Sequence, residues 1–456
     1  MRSLGESIQR RQGLGAILRN IAWLLYERAF RAVLGLVVGV WLARYLGPER
    51  FGMLSFAQAV VALFAVLAGL GLQGVVVRDI VRSSQSGVLE TLGTALVLRL
   101  VAGLLTYGLL ALAVFTADPE ATVTRLLTLI IGLTLLFKAG EVSADWFEAQ
   151  VLSKYIVWAQ NAVVLVFAAL KALAILKHAS VEVFAWLLAA EALCISLAML
   201  TMLAYRGTGL RELGFTMRRA QQLLAASWPL MLSAFAVIIY MRIDQVMLGW
   251  LTGQASVGVY SAALKVCEAW YMLPVLIVAS FFPSILQSRE RSGAEYESRL
   301  QRLYDGLFVL TLGISLPIWL ISDELMHFLF GAPYAGAASI VDIYIWNTCL
   351  VALGTARGKW LLAEDLQQYG VVFIVLSMII NVVANALLIP GFGGVGAAWA
   401  TIMSTLVATV IGPALMSKTR KSSTMLLNSM NPWRLVRIYG PMAINFLARP
   451  DERKSN

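Results

Sequence analysis

Apolar residues run along this chain in blocks of about twenty, split by short polar stretches, with no alternation of apolar and polar positions inside a block. That block length matches roughly 30 Å of bilayer hydrocarbon. Lipid admits only helices or closed barrels, and barrel strands alternate. The pattern therefore predicts an all-α polytopic membrane protein. Twelve transmembrane helices are expected, over about 21–46, 52–77, 90–115, 122–143, 154–176, 183–205, 226–250, 257–286, 303–322, 338–363, 369–389 and 395–416. A polar basic connection at 206–219, RGTGLRELGFTMRR, divides a first six-helix bundle (1–205) from a second (220–417), and a basic tail (418–456) follows. The tail segment 431–449 is too short and too basic to span. It reads either as an amphipathic helix on the inner surface or as a disordered segment.

The two bundles read as copies. Shifted by 206 residues, G47-P-E-R-F-G52-M-L-S55-F-A57 falls on G253-Q-A-S-V-G258-V-Y-S261-A-A263. Shifted by 214, W146-F-E-A149-Q-V-L152-S-K-Y155 falls on W360-L-L-A363-E-D-L366-Q-Q-Y369. Each match is weak alone, but both keep the same order at nearly the same offset. A six-helix unit duplicated this way inserts both copies in one orientation, related by an axis along the membrane normal. Transporters built so bind substrate between the halves and alternate access by rocking them.

Composition agrees with this reading: 59% of the 456 residues are hydrophobic and 14% charged, against about a quarter charged in soluble domains. The net charge of +10 does not point to nucleic acid, because the basic residues sit in loops and tails and not on a solvated domain. Their distribution obeys the positive-inside rule if both termini are cytoplasmic. Arg78, Arg82, Arg206, Arg211, Arg218, Arg219, Arg289, Arg291, Arg299 and Arg302 then fall inside, with Lys418, Arg420, Lys421, Arg434 and Arg437 of the tail. The outer loops keep Arg44, Arg50, Arg125 and Lys177. The start, MRSLGESIQRRQGLG, lacks the apolar core of a cleavable signal peptide. Cys194, Cys267 and Cys349 lie far apart in apolar runs, and with two His there is no metal-ligand cluster. No metal or other cofactor is expected.

Charges inside the apolar runs carry the candidate chemistry. Each costs roughly 2.5–3.5 kcal/mol at mid-bilayer unless it faces water or a partner. The expected lumen cations are Arg28, Arg31, Arg99, Lys138, Arg242 and Lys265, spread over inner, middle and outer depths. Several have a structural alternative. Glu27 and Arg31 are spaced i,i+4; Lys138 with Glu141 and Lys265 with Glu268 are spaced i,i+3. Arg28 and Arg99 have no helical partner on their own face, and Arg242 and Asp244, two residues apart, do not share one. Such cations suit an anionic head group, and the guanidinium fork matches phosphate oxygens. Asp244, Glu141 and Asp145 are the acids able to take a coupling H+ or Na+. The stretch Met231–Ala263, which holds Arg242 and Asp244, reads as part of a polar cavity within the bundle.

Several runs resemble the Wzx-type O-antigen flippases, polysaccharide transporters of the multidrug/oligosaccharidyl-lipid/polysaccharide exporter superfamily. They are L-A-R-Y-L-G-P-E-R-F-G-M-L-S-F-A (42–57), R-I-D-Q-V-M-L-G (242–249), V-G-V-Y-S-A-A-L-K-V (257–266), F-F-P-S-I-L (281–286) and G-F-G-G-V-G-A-A-W-A (391–400). The resemblance covers about 1–417. It implies a V-shaped pair of bundles with a cationic lumen. It also implies export of an undecaprenyl-pyrophosphate-linked oligosaccharide, such as an O-antigen unit, across the bacterial inner membrane. A polysaccharide polymerase and a chain-length regulator are the protein partners expected with it. Two other functions stay open. A drug/cation antiporter of the same superfamily would want a more acidic cavity. A membrane glycosyltransferase or polymerase on the same lipid carrier would want acids on a large outer loop, whereas Asp118 and Glu120 stand on an outer connection of a few residues.

Overall fold

The computed structural model describes the backbone of residues 2–117, 122–206, 209, 212–437 and 439, and the side chains of Trp23 and of residues 30–116, 122–205, 209, 212–437 and 439. Among the described residues there are helices and no strands. Ten helical runs are long and apolar enough to cross a membrane. Two of them hold two passes each. Phe30–Arg82 is broken at Gly47 (φ 72°, ψ 170°), and Gln367–Leu415 at Gly393 (φ 53°, ψ −131°). The positive φ at both is open to glycine and costly for a residue with a Cβ. Split there, the ten runs give the twelve expected passes.

We label them α1 (2–47), α2 (48–82), α3 (Gln85–Ala117), α4 (Thr122–Ala149), α5 (Ser153–Leu176), α6 (Val181–Arg206), α7 (Met217–Thr252), α8 (Gln254–Arg289), α9 (Gly293–Leu320), α10 (Ala337–Ala363), α11 (367–392) and α12 (394–415). A short helix, Ser322–Phe330, joins α9 to α10. Large apolar side chains such as Leu104, Leu105 and Leu112 of α3 stand exposed, as a lipid-facing surface requires.

The duplication is written into the backbone. Gly253, between α7 and α8, has φ 92° and ψ 172°, nearly the values of Gly47 between α1 and α2. α2 and α8 cross beside these turns with their backbones touching. A Cβ on Gly52 would fall 1.8 Å from the Gln254 carbonyl oxygen, and one on Gly258 would fall 1.9 Å from that of Pro48. These are one contact repeated at a shift of 206. The second sequence match ends in a shared turn. Val151 and Asp365, 214 apart, are both left-handed (φ 58° and 57°). The turns share their bonds: Leu152 N–H to Phe147 C=O and Leu366 N–H to Leu361 C=O, each 2.8 Å. One apolar core, with Leu54, Phe56, Val257, Tyr260, Tyr334 and Ile340, runs through the crossing into both halves.

The structure changes two expectations about polar segments. α7 begins at Met217, inside the predicted 206–219 connection, with Thr216 Oγ1 accepting from the Arg219 N–H. Its first turns lie beyond the apolar block, where Arg219 pairs with Asp79 of α2 (3.2 Å). The tail is helical over Arg420–Ser429 (α13) and again over 432–437, and it docks on protein. Met425 and Leu426 join a core with Leu300, Tyr304, Leu353 and Trp360, and Arg434 grips Asp305 of α9 through two bonds of 2.8 and 3.0 Å. Residues 440–456 of the tail, and the outer acids Asp118 and Glu120, lie outside the described residues.

Candidate functional site

Below the α2–α8 crossing the apolar core gives way to polar space. A cavity of about 260 Å³ is walled by Arg31 and Gly39 of α1, Gln58 of α2, Lys171 of α5, Glu191 of α6 and Lys265 of α8. A second, of about 300 Å³, lies between α2, α7 and α8, among Ser55, Gln58, Arg242, Gln245, Ser261, Lys265 and Glu268. Gln58 and Lys265 belong to both, so the two meet at these side chains. A third, of about 230 Å³, holds Lys138, Glu141 and Gln160. It reaches the first through Arg31, whose Nη2 donates to Gln160 Oε1 (2.6 Å).

Lys265 is half-buried where the first two cavities meet. The sequence spacing gives it Glu268, but Glu268 Oε2 lies instead 3.5 Å from Arg242 Nη2 on the neighbouring helix. Among the described residues no carboxylate comes within 4 Å of Lys265. Its chain runs where a Cβ on Gly39 would sit, 2.7 Å from that position, and its ammonium lies 5.8 Å from the Phe51 ring centroid. A ring face attracts a cation, though more weakly than a carboxylate would. Lys138 and Glu141 form the pair their spacing predicts, at 2.9 Å and partly exposed.

Two residues are drawn away from these walls. Among the described residues, Arg99 has no partner on its own helix. Its partner comes from α4: Nη2 lies 2.8 Å from Asp145 Oδ2, both side chains are 1% exposed, and neither lines the three cavities. Asp145, expected as an ion-coupling acid, is thus the counter-ion of Arg99 inside the first bundle. The side chain of Arg28 lies outside the described residues.

Asp244 faces away from Arg242, as the two-residue spacing requires. It is 1% exposed, it accepts from the Tyr260 hydroxyl, and the Gln245 N–H donates to it at 2.8 Å. Beyond Tyr260 runs a buried polar seam on α11 and α12. Asn385 donates to Asn381 (3.1 Å) and Asn381 to Ser404 Oγ (3.2 Å), with Thr401 next along α12. Asp244 therefore differs from Glu141 and Asp145, since its hydrogen-bond donors are neutral groups.

Sequence reading missed Lys171 and Glu191, which pair at 2.5 Å on the wall of the first cavity. The signal was there: each is the lone charge in the interior of an apolar block. It also missed Arg357, buried in α10. The chain of α12 widens into a π-helical turn at Val407–Ile411, and Arg357 Nη1 donates to the Ala408 and Thr409 carbonyls it presents. The Phe373 ring lies 5.4 Å from the guanidinium carbon. Backbone carbonyls and a ring hold this cation at Nη1 and over its plane, while its buried Nε has no hydrogen-bond partner among the described residues, and it lines none of the three cavities.

Comparison with known proteins adds independent findings. The profile of the family described as "Polysaccharide biosynthesis protein" matches residues 17–289, and the MatE profile matches 229–387. The probable low-salt glycan biosynthesis flippase Agl15 of Haloferax volcanii is 24% identical over 412 residues, 87% of this chain and 82% of that protein. The succinoglycan biosynthesis transport protein ExoT of Rhizobium meliloti is 26% identical over 348 residues, 72% of this chain and 65% of that protein. Among solved structures, the lipid II flippase MurJ in an inward closed conformation superposes with a TM-score of 0.70 at 13% identity, over 92% of this chain and 93% of MurJ. That likeness is one of fold.

Proposed function

The chain belongs to the polysaccharide biosynthesis protein family, as a membrane transport protein of glycan biosynthesis and not an enzyme, and from that premise we propose that it flips an undecaprenyl-pyrophosphate-linked oligosaccharide, such as an O-antigen repeat unit, across the bacterial inner membrane. The head group passes through the joined cavities while the polyprenyl tail stays in lipid. The observation that carries this reading is Lys265: a cation with no carboxylate within 4 Å among the described residues, at the meeting of the two cavities, with Arg242 and Lys171 on the adjoining walls. A charge pair 4 Å apart gains on the order of 4 kcal/mol at an effective dielectric near 20. A phosphate beside Lys265 therefore recovers much of what it loses on leaving water. Arg31 and Lys138 extend the cationic path toward the third cavity, and Arg28 stands one helical turn before Arg31.

The cycle is driven, on this reading, by H+ or Na+ taken up at Asp244. A carboxylate held only by neutral donors can accept a proton or a cation without first breaking an ion pair. On this reading both termini lie in the cytoplasm, which the distribution of loop charges supports, and a polymerase and chain-length regulator receive the product.

The test is transport of a lipid-linked oligosaccharide by the reconstituted protein. Lys265→Met is expected to slow flipping about tenfold or more with normal protein levels, and Lys265→Arg to restore part of it, in line with 1.4 kcal/mol for each factor of ten. Full-rate flipping by Lys265→Met would defeat the cationic-path reading. The MatE match favours a second reading, a drug/cation antiporter. That reading gains if expression confers resistance to cationic drugs and Lys265→Met leaves the resistance intact.

A further inference from the structure

A groove of about 610 Å³ opens between α8 and α9, outside the functional site. Ile277, Phe281 and Ile285 of α8 form one wall; Leu303, Leu307 and Leu310 of α9 form the other, and Arg299 and Arg302 stand at one end. Positions 299, 303, 306 and 310 fall on one helix face by their three- and four-residue spacing. Gly306 is the floor: a Cβ there would meet nothing within 4 Å. Phe281, 58% exposed, shows that the groove is open at the side.

The depth of the arginines identifies what the groove faces. α9 has 28 residues. At 1.5 Å each it is about 42 Å long, against roughly 30 Å of hydrocarbon. Measured back from Leu320, the hydrocarbon edge falls near residue 300. Arg299 and Arg302 thus lie at head-group level, and the apolar walls lie below them in the hydrocarbon. Arg299 is held by Glu295 at 2.6 Å. Arg302 is exposed, and among the described residues no carboxylate lies within 4 Å of it.

We infer that this groove is a binding site for an anionic phospholipid of the leaflet on the side of the 290–292 turn, with its phosphate at Arg302 and one acyl chain along Phe281, Leu303, Gly306 and Leu310. Charge complementarity selects an anion at the head-group end. The apolar walls select a chain, which a soluble phosphate lacks. The site shares no residue with the three cavities, so it stands or falls apart from the transport reading.

Native mass spectrometry of the purified full-length protein, titrated with phosphatidylglycerol or phosphatidylcholine, tests it. The unmodified protein should retain phosphatidylglycerol more tightly. Arg302→Gln should weaken that retention about fivefold, the equivalent of about 1 kcal/mol for one cation at a lipid surface, and leave phosphatidylcholine unchanged. Gly306→Phe, which fills the floor, should remove the tightest-held lipid of either kind. Equal retention of the two lipids by the unmodified protein, or unchanged phosphatidylglycerol retention in Arg302→Gln, overturns the proposal. The Arg302 arm concerns an exposed side chain and stays decisive if Gly306→Phe does not fold.

Discussion

The two bundles agree in backbone and differ in charge. Both keep a glycine of positive φ between their first two helices, a second glycine five residues on at the crossing, and a left-handed residue after their fourth helix. Their interior acids follow different rules. In the first bundle Asp145 is held by Arg99, Glu141 by Lys138 and Glu191 by Lys171. In the second, Glu268 has Arg242 and Asp305 has Arg434, but Asp244 is held by a tyrosine hydroxyl and a backbone N–H. A backbone exception at a close contact cannot be replaced without moving its partner, so duplication preserves it. A side-chain charge can be exchanged with little change of backbone. The halves thus share a frame and are free to divide the chemistry.

The frame is the most sensitive point of the comparison. Gly52→Val and Gly258→Val each drive a Cβ to within 2 Å of a carbonyl oxygen of the other half. Backbone must shift to accommodate either, a larger demand than the about 1–3 kcal/mol typical of an overpacked core. Both variants should yield almost no monodisperse protein on size exclusion. Gly313→Ala, whose Cβ meets nothing within 4 Å, should be purified as the parent is. If one crossing glycine tolerates valine and the other does not, the contact is not shared equally by the two copies.

The contrast of acids comes next. Asp145→Asn leaves Arg99 buried without its counter-ion, and breaking a buried pair from one side costs about 3–5 kcal/mol. A fall in thermal midpoint in detergent is expected, with the gradient dependence of transport kept in whatever protein folds. Asp244→Asn keeps a carbonyl for the Gln245 N–H and turns its amide N–H to the Tyr260 oxygen, whose own proton can pass to Thr401, so stability should change little, while stimulation by an imposed proton or sodium gradient disappears. Gradient loss in both variants, or in neither, would erase the difference drawn between the bundles.

Much of the frame was readable from sequence because it depends on local quantities. Helix count follows block length, and the repeat follows residue identity at one offset. Helix ends were less readable. α7 continues nine residues beyond its predicted start at 226, since polar residues outside the hydrocarbon extend a helix without extending its apolar block. The site was legible in its residue types and not in its pairings. Arg31, Lys138, Arg242 and Lys265 all line polar space, yet Glu268 left Lys265 for Arg242, and Arg99 found Asp145 on another helix. Spacing along one helix cannot reveal a partner that packing brings from the next.

The smallest expected effect concerns the left-handed pair. Val151 and Asp365 share their φ and their turn but not their fitness for it. A β-branched residue at positive φ is a strong outlier, whereas Asp visits that region with little penalty. Such strain costs of order 1–3 kcal/mol, and glycine gives back roughly 0.5–1 kcal/mol through its greater entropy when unfolded. Val151→Gly should therefore stabilise by about 1 kcal/mol, and Asp365→Gly should be close to neutral. Val151→Asp, which copies the second bundle into the first, should recover part of the gain without the entropic loss. For a protein of this size these are rises of at most about 2 °C in thermal midpoint, read by differential scanning fluorimetry on the three variants side by side. Should Asp365→Gly stabilise as much as Val151→Gly, side-chain branching would not be the source of the strain, and the first bundle would hold its turn as comfortably as the second.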